Sequence, residues 1–280
     1  MAISNEEVNL FINTVKNASS YNFSNYSERS FARRLDKILK DNQIDVYSLI
    51  SKIRRDNIFL EKIVKDITVN TTELFRDPKT WHIIRYRVLS KLKNQRTINI
   101  WHAGCSTGQE VYSMLVLLKE MNLFDKANVF ASDINSDVLE LAKKGSYKYR
   151  FNINYLENFD SVIKTNPYNF EEYKEVSFAK YFIVDKQNDT IKVKDLLKNK
   201  VLFRKHDLVN GNNIFYTKFD LILCRNVLIY FNHKLQNQVF ENFHKYLFPN
   251  GSLILGIHES MLGAASAKYN KRGLVYIKKS

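Results

Sequence analysis

From about residue 97 onward, short apolar runs alternate with segments of helical periodicity. The run Phe219–Cys224 is apolar enough to predict a strand that is buried on both faces of a sheet. Strands that alternate with helices form a parallel sheet with helices packed on both sides. The alternation therefore predicts an α/β fold, with strands at residues 97–101, 128–133, 200–205, 219–224, 252–257 and 274–277 and helices at residues 110–121, 138–142 and 234–247.

Two stretches depart from this alternation. Residues 1–68 carry apolar side chains at spacings of three and four, which predicts an N-terminal helical domain. Two β-prone runs at 181–184 and 190–193 flank the polar segment 185–189, which predicts a hairpin. We therefore expect a helical domain at 1–68 and an α/β domain at 69–280, with a small β insertion at about 165–197.

Composition narrows the class of protein. The formal net charge of +14 favours an anionic partner, but the chain has no RGG tract, zinc-knuckle spacing or run of five basic residues. Its two cysteines lie far apart with no CxxC pair, so neither a disulfide framework nor a metal site is predicted. Glu6 and Glu7 replace the basic start of a secretory leader, and no stretch of 18 uncharged apolar residues occurs. These features predict a cytoplasmic protein without a membrane span.

Small or polar side chains follow four successive predicted strands. The segment 103–108 follows the first strand, Asp133 ends the second, Asp207 follows the third, and Cys224 and Arg225 end the fourth. Open α/β sheets bind ligands at the carboxyl ends of their strands, where these residues would meet. A carboxylate at the end of the second strand can also accept hydrogen bonds from two ribose hydroxyls. The pattern predicts a nucleoside-binding site.

Glu110 narrows the choice of nucleoside. A dinucleotide enzyme places a pyrophosphate at the start of the first helix, usually with the motif GxGxxG. Here only Gly104 and Gly108 are present, and Glu110 stands where it would repel a phosphate. An acidic group at this position suits a cationic ligand without phosphate, such as S-adenosylmethionine with its ammonium and sulfonium groups.

Five ordered segments resemble the CheR family of chemotaxis receptor methyltransferases, namely residues 69–77, 103–112, 130–134, 219–231 and 247–260. The first reads VNTTELFRD against the family pattern T-N-x-T-x-F-F-R. The fourth reads FDLILCRNVLIYF against F-D-x-I-x-C-R-N-V-x-I-Y-F. The resemblance implies a Rossmann-like class I S-adenosylmethionine-dependent methyltransferase. It also implies that glutamate side chains become methyl esters, with S-adenosylhomocysteine as the second product.

The resemblance also implies roles for individual residues. Arg76 and Tyr230 would lie beside the reacting methyl group. The cofactor would be bound by Asn70, Thr72, Arg76, Glu110, Asp133, Asp207, Leu208, Cys224 and Arg225. Arg76 can hold a carboxylate through two parallel hydrogen bonds. From the residues alone, Arg76 could equally pair with Asp77 or Glu73 on the surface.

A basic face on the second predicted helix carries Arg29, Arg33, Lys37 and Lys40. In the family such a face meets the acidic methylation region of a receptor, although basic faces of helices are commonly just solvated. The expected partner is the cytoplasmic domain of a methyl-accepting receptor, bound by a monomeric enzyme. The segment 185–189 lacks the glycine of relatives that bind a receptor's C-terminal pentapeptide, so binding of that tether is not expected.

Three alternatives remain open. A related methyltransferase could act on another signalling protein, because nothing in the chain specifies motility. A non-catalytic module could bind S-adenosylmethionine and signal by docking, although Arg76 and Tyr230 argue against it. A nucleic-acid methyltransferase would fit the positive charge. Such enzymes often stack a flipped base on an Asn/Asp-Pro-Pro-Tyr/Phe motif, and here the fourth strand ends in Cys-Arg-Asn-Val instead.

Overall fold

A computed structural model describes residues 3–68 and 70–280. The strands, in chain order, are β1 (Ile98–Ala103), β2 (Ala127–Asp133), β3 (Ser146–Lys148), β4 (Phe182–Asp185), β5 (Thr190–Val193), β6 (Val201–Lys205), β7 (Phe219–Cys224), β8 (Leu247–Leu255), β9 (Tyr269–Arg272) and β10 (Val275–Lys278). The α-helices are α1 (Asn5–Ala18), α2 (Glu28–Asn42), α3 (Val46–Arg55), α4 (Asn57–Ile67), α5 (Pro78–Ile83), α6 (Gln109–Glu120), α7 (Ser136–Lys144), α8 (Asn154–Phe159), α9 (Asp195–Lys198) and α10 (His233–Tyr246).

The central sheet has the strand order β6-β2-β1-β7-β8-β10-β9. Strands β6, β2, β1, β7 and β8 are parallel, whereas β10 runs antiparallel to both of its neighbours. The chain moves outward from β1 to β6 on one side and from β7 onward on the other. This is the doubly wound Rossmann order, and its ligand crevice lies where the direction reverses, between β1 and β7. The predicted fold class is confirmed.

Burial along the strands follows their place in the sheet. All six residues of β7 are buried, because helices cover both faces of this central strand. At the edge of the sheet, β6 has no fully buried residue. The run at 219–224, apolar except for Asp220, was therefore the most reliable sequence signal for the sheet.

Two parts of the sheet differ from the prediction. The strand predicted at 252–257 begins earlier, at Leu247, so that Pro249–Asn250–Gly251, residue types that favour a turn, lie inside β8, and the pairing with β7 shifts register between Phe219 and Leu221. Asn250 has a φ of 62°, so the turn-forming residues produce an irregularity within a strand. Strand β9 was not predicted, since three of its four residues are exposed and polar. Its Lys271 and Arg272 are typical of a protected edge strand.

Residues 3–68 form a helical unit of α1 to α4 around their own apolar core. In α2 the apolar residues Phe31, Leu35 and Ile38, which lie four and three positions apart, are buried. The predicted domain division at residues 68 and 69 stays a prediction, and Val69 lies outside the described residues. No helix in the described part of the chain is long and apolar enough to cross a membrane.

The helical unit is joined to the segment that follows β7 by main-chain hydrogen bonds. The Ser27 amide donates to the carbonyl of Tyr230 at 2.8 Å, and the Asn232 amide donates to the carbonyl of Asn25 at 2.9 Å. Ser27 is the N-cap residue of α2, but its side chain makes no capping hydrogen bond. The start of α2 is thereby held against the segment that carries Tyr230.

A second, three-stranded sheet has the order β3-β5-β4. Strands β4 and β5 pair antiparallel in the two runs for which a hairpin is predicted. The third strand, β3, lies before residue 165, outside the predicted extent of the insertion. A short Ser-Tyr-Lys strand has no alternating pattern of its own, which is why the sequence did not indicate it.

Candidate active site

One pocket opens at the carboxyl ends of the central strands, between the sheet and the helical unit. Its walls come from α2, the segment 68–76, the loop after β1 and the segments that follow β2, β6 and β7. The predicted catalytic and cofactor-binding residues that line it are Asn70, Thr72, Arg76, Glu110, Asp133, Asp207, Leu208, Arg225 and Tyr230. The topology thus brings together residues separated by up to 160 positions in the sequence.

Backbone geometry shapes the loop between β1 and α6. Gly104 has a φ of 80° and Gly108 a φ of 89°, in the left-handed region that favours glycine. A Cβ at position 104 would lie 2.4 Å from Cγ2 of Val227, so the loop passes directly against the segment after β7. The amides of Gly104 and Cys105 both donate to the carbonyl of Ser132, at 2.8 and 2.9 Å. The loop is therefore fixed to the end of β2.

Glu110 lies in the first turn of α6 and is held on both carboxylate oxygens. Its Oε1 lies 2.8 Å from Nδ1 of His102, and its Oε2 accepts a hydrogen bond from Nη1 of Arg225 at 3.1 Å. Burial raises the pKa of Glu110, but the bond to His102 and the charge of Arg225 outweigh burial and leave the pKa below its usual value. The pocket therefore presents a stable carboxylate, which fits an ammonium group and opposes a phosphate.

Arg225 is a structural counter-ion as well as a lining residue. Its side chain is 2% exposed, and its Nη2 donates to Asp77 at 2.8 Å and to the carbonyl of Arg76 at 3.0 Å. Together with the bond to Glu110, this ties α6 to the segment before α5. A direct contact between Arg225 and the cofactor stays a prediction.

Arg76 is free of the surface pairing that the sequence left open. Asp77 is engaged by Arg225, and among the described residues no ion pair joins Arg76 to Asp77 or Glu73. The Arg76 side chain is half-buried in the pocket wall, and its closest polar contact is Nη1 to the carbonyl of Thr71 at 3.5 Å. Its guanidinium group is available to a ligand.

Asp133 and Asp207 form the acidic side of the pocket. Both oxygens of Asp133 accept amide hydrogen bonds, from Ser106 at 2.9 Å and Asn135 at 3.0 Å. Asp207 accepts one from the Val209 amide at 2.9 Å. Burial raises the pKa of both carboxyl groups, and these backbone bonds oppose the rise. A buried carboxylate on Asp133 and a half-buried one on Asp207, both with remaining acceptor capacity, suit the hydroxyl and amino groups of a nucleoside.

Glu259 holds the segment after β7 in place. The sequence analysis included this residue only within the matching segment 247–260 and gave it no role. Its Oε2 accepts from the amides of Gly256 at 2.7 Å and Asn226 at 2.8 Å. Its Oε1 accepts from the amides of Leu228 at 2.7 Å and Ile229 at 3.2 Å. One buried carboxylate therefore fixes the path of the chain between Arg225 and Tyr230.

Sequence reasoning missed pocket residues supplied by the helical unit. Tyr26 and Arg34 line the pocket from this side, and His206 lines it after β6. Arg34 follows Phe31 by three positions and precedes Ile38 by four, so helical spacing places it at the border of the buried stripe of α2. This spacing could have indicated from the sequence that Arg34 is partly buried. Burial raises the pKa of Tyr26 and lowers that of His206, so both are neutral at pH 7.

Cys224 is the predicted cofactor-binding residue that does not line the pocket. Its side chain is fully buried in the core beside β7, where burial raises the thiol pKa. A cofactor contact at Cys224 therefore stays a prediction, and its buried side chain is not placed to make one. Among the described residues, no cluster of three or more His, Cys, Asp or Glu side chains is placed to hold a metal ion.

The proposed docking residues lie together on the surface of α2. Arg29, Arg33, Lys37 and Lys40 are exposed, and Lys40 pairs with Asp36 at 2.6 Å. This basic face points away from the core of the helical unit. Its role in docking stays a prediction.

Comparison with known proteins identifies the larger part of the chain. The family model described as CheR methyltransferase, SAM binding domain, matches residues 70–162 and 163–276. A Pseudomonas putida protein, named as a candidate methyltransferase Cher3, is 33% identical to this chain. The match covers 91% of this chain and 89% of the Pseudomonas protein. The chemotaxis protein methyltransferase of Borreliella burgdorferi is 30% identical over 95% of this chain and 92% of its own, and that of Listeria innocua is 27% identical over 91% and 90%.

Solved structures with the same general architecture are much more distant. PKMT2 from Rickettsia typhi, in complex with AdoHcy, is 16% identical and covers 67% of this chain and 26% of its own, with a TM-score of 0.37. The N-methyltransferase NodS from Bradyrhizobium japonicum, in complex with S-adenosyl-L-homocysteine, is 14% identical over 65% and 62%, with a TM-score of 0.33. The fold assignment rests on the strand order of the central sheet.

Proposed function

Because the chain belongs to the CheR methyltransferase family and has S-adenosylmethionine as its cofactor, we propose that it methylates glutamate side chains on the cytoplasmic domains of chemotaxis receptors. The observation that carries this proposal is the unpaired guanidinium of Arg76 in one pocket with Tyr230, Glu110 and Asp133. An acceptor that is itself a carboxylate explains why a free arginine lines the site. Support for a receptor as the substrate comes from relatives named chemotaxis protein methyltransferases.

The proposed chemistry needs orientation more than acid–base catalysis. The cofactor supplies a methyl group that is activated by its sulfonium charge. A glutamate side chain has an ordinary pKa of about 4.3, so it is already a nucleophile at neutral pH. The residues of the pocket must remove water from the carboxylate and hold one oxygen in line for attack.

Arg76 and Tyr230 are suited to that positioning task. A guanidinium group offers two parallel N–H donors that match the two oxygens of a carboxylate. Tyr230 follows the segment that Glu259 fixes, so its ring is presented from a rigid part of the chain. On the other side, Glu110 and Asp133 provide negative charge for the ammonium and ribose groups of the cofactor. One end of the pocket thus favours an anionic group and the other end favours a cationic one. The acceptor carboxylate and the ammonium group of the cofactor would therefore bind at different ends.

The basic face of α2 supports an acidic protein partner. Arg29, Arg33, Lys37 and Lys40 are exposed on one helix beside the pocket, because α2 also supplies a lining residue, Arg34. We infer that the methylation region of the receptor docks there. The double change Arg33→Glu with Lys37→Glu should raise the receptor concentration needed for half-maximal rate and leave cofactor affinity unchanged. Equal receptor dependence in this variant and the unchanged protein would exclude this face as the docking surface.

The function can be tested with cofactor carrying a radiolabelled methyl group, incubated with a receptor cytoplasmic domain and, separately, with RNA. We expect label in the receptor that is released by mild base, as methyl esters are. Label that is base-stable, or that enters only RNA, would contradict the proposal. Arg76→Ala should abolish the receptor signal while S-adenosylhomocysteine still binds in calorimetry, though more weakly, because Arg76 is also a predicted cofactor contact. Arg272→Ala, which removes an exposed arginine of β9, is the matched control and should retain full activity.

A further inference from the structure

Two consecutive arginines of α2 face different surroundings. Arg33 is exposed to solvent, whereas Arg34 is half-buried and lines the active-site pocket. The guanidinium carbon of Arg34 lies 4.2 Å from the centroid of the Tyr230 ring. A cation at this distance over an aromatic face is attracted to it. The helical unit therefore places a positive charge directly beside a residue that we propose to act at the reacting methyl group.

The hydrogen bonds of Arg34 are incomplete. Its Nη1 donates to the carbonyl of Ile67, the last residue of α4. Its Nη2 is buried and has no hydrogen-bond partner within residues 3–68 and 70–280. The neighbouring groups that shift the pKa of Arg34 are Tyr230, which also acts as a side-chain hydrogen-bond partner, Arg33 and Tyr26, with no carboxylate among them. Burial lowers the pKa of Arg34, as expected of a cation that lacks an anionic neighbour.

Three of the other charged groups of the pocket already have partners among the described residues. Arg225 is paired with Glu110 and Asp77, and both oxygens of Asp133 accept amide hydrogen bonds. Leaving a charged donor buried without a partner is unfavourable, because the donor has lost its hydrogen bonds to water. Nε of Arg225 also lacks a hydrogen-bond partner among the described residues, but the charge of Arg225 is balanced by Glu110 and Asp77. An anionic oxygen that enters the pocket would therefore find cationic donors without a carboxylate partner on Arg34 and Arg76.

We propose that Arg34 is a carboxylate-binding residue of the active site, contributed by the helical unit. Two carboxylates can enter this pocket, the methionine carboxylate of the cofactor and the carboxylate of the methyl-accepting side chain. The second source rests on the proposed function, whereas the first requires only cofactor binding. Because Arg34 belongs to the helical unit, binding of a carboxylate in the active site also depends on the position of that unit beside the pocket. This gives the helical unit a role inside the pocket, distinct from docking on its outer face.

The test compares Arg34→Gln and Arg34→Lys with the unchanged full-length protein. Calorimetry with S-adenosylhomocysteine measures the cofactor arm, and initial rates against receptor concentration measure the acceptor arm. Loss of a charge-assisted hydrogen bond should weaken the arm that uses Arg34 by about tenfold or more. If the cofactor carboxylate is the ligand, the dissociation constant for S-adenosylhomocysteine rises. If the acceptor carboxylate is the ligand, that constant is unchanged and kcat/KM for the receptor falls.

Lys52→Gln is the matched control. Its Nζ lies 4.1 Å from the Phe59 ring centroid in the same helical unit, away from the pocket, so it removes an equivalent contact of a cation with an aromatic ring. Both arms should be normal in this variant. Should Arg34→Gln fail to fold, as judged by circular dichroism, Arg34→Lys still decides, because it keeps the positive charge and lacks the second nitrogen.

Values within about twofold of the unchanged protein in both arms would overturn the proposal. Failure of the proposed function would look different. In that case the unchanged protein itself would form no base-labile ester on the receptor, and the cofactor arm alone would decide the role of Arg34.

Discussion

Glu259 provides a stringent test of how the active-site segment is held. Its two carboxylate oxygens accept four amide hydrogen bonds, two on each oxygen, from Gly256, Asn226, Leu228 and Ile229. In Glu259→Gln one oxygen becomes an NH₂ group, so two amide donors lose their acceptor and face another donor. Hydrogen bonds to a charged group contribute about 1.5–3 kcal/mol each, so the change should cost at least about 3 kcal/mol.

This loss is large compared with the total stability of a typical domain, about 5–15 kcal/mol. Urea unfolding should show it as a lower midpoint with little change in slope, and the thermal midpoint should fall by about 6 °C or more. Because the affected segment leads to Tyr230, the methyl-transfer rate should fall as well.

The control is Glu241→Gln, which removes the same charge from a half-exposed ion pair with Lys268. Such surface pairs contribute about 0–1 kcal/mol. If Glu259→Gln lost no more stability than Glu241→Gln, the four hydrogen bonds could not be what holds the segment.

Two further changes probe the pocket itself. Gly104→Ala would place a Cβ 2.4 Å from Val227 at a φ of 80°, so calorimetry should show weakened S-adenosylhomocysteine binding. The control is Gly273→Ala, which has a φ of 63° and nothing within 4 Å of the added Cβ, and it should only lower the thermal midpoint slightly. Equal effects of the two changes on binding would argue against the steric explanation. The pKa of Glu110 is lowered by folding, so its stabilisation is complete above its ordinary value of 4.5 and is lost as pH falls through the folded value. Glu110→Gln should therefore flatten the acid limb of stability against pH in urea titrations, and an unchanged limb would contradict this assignment.

The parts of the fold that sequence could predict are those with strong local patterns. Strand β7 is apolar except for Asp220, and α2 has a clear apolar stripe, so both were identified near their observed bounds. Strands β3 and β9 are short and largely polar, and they exist because neighbouring strands offer them hydrogen bonds. Their pairing is a tertiary effect that no local pattern indicates.

The site shows the same division. Asp133 was predictable because a carboxylate at the end of a second strand has a defined place in this topology. The counter-ion role of Arg225 was not, because its partners Glu110 and Asp77 are 115 and 148 positions away in the chain. Arg34 was not predicted as a pocket residue, because it lies among exposed basic residues of α2. The charge of this helix was therefore assigned to its solvent-exposed face.

The main-chain bonds that join residues 25–27 to residues 230–232 bear on how enzymes of this kind could be recombined. Donor and acceptor are backbone atoms, so a transplanted helical segment can dock in the same register whatever side chains it carries. Recognition residues on the outer face of α2 could therefore be exchanged between relatives, provided that the donor segment supplies a tyrosine at position 26 and an arginine at position 34. A chimaera without these two side chains would be well folded at the junction and yet have an incomplete active site.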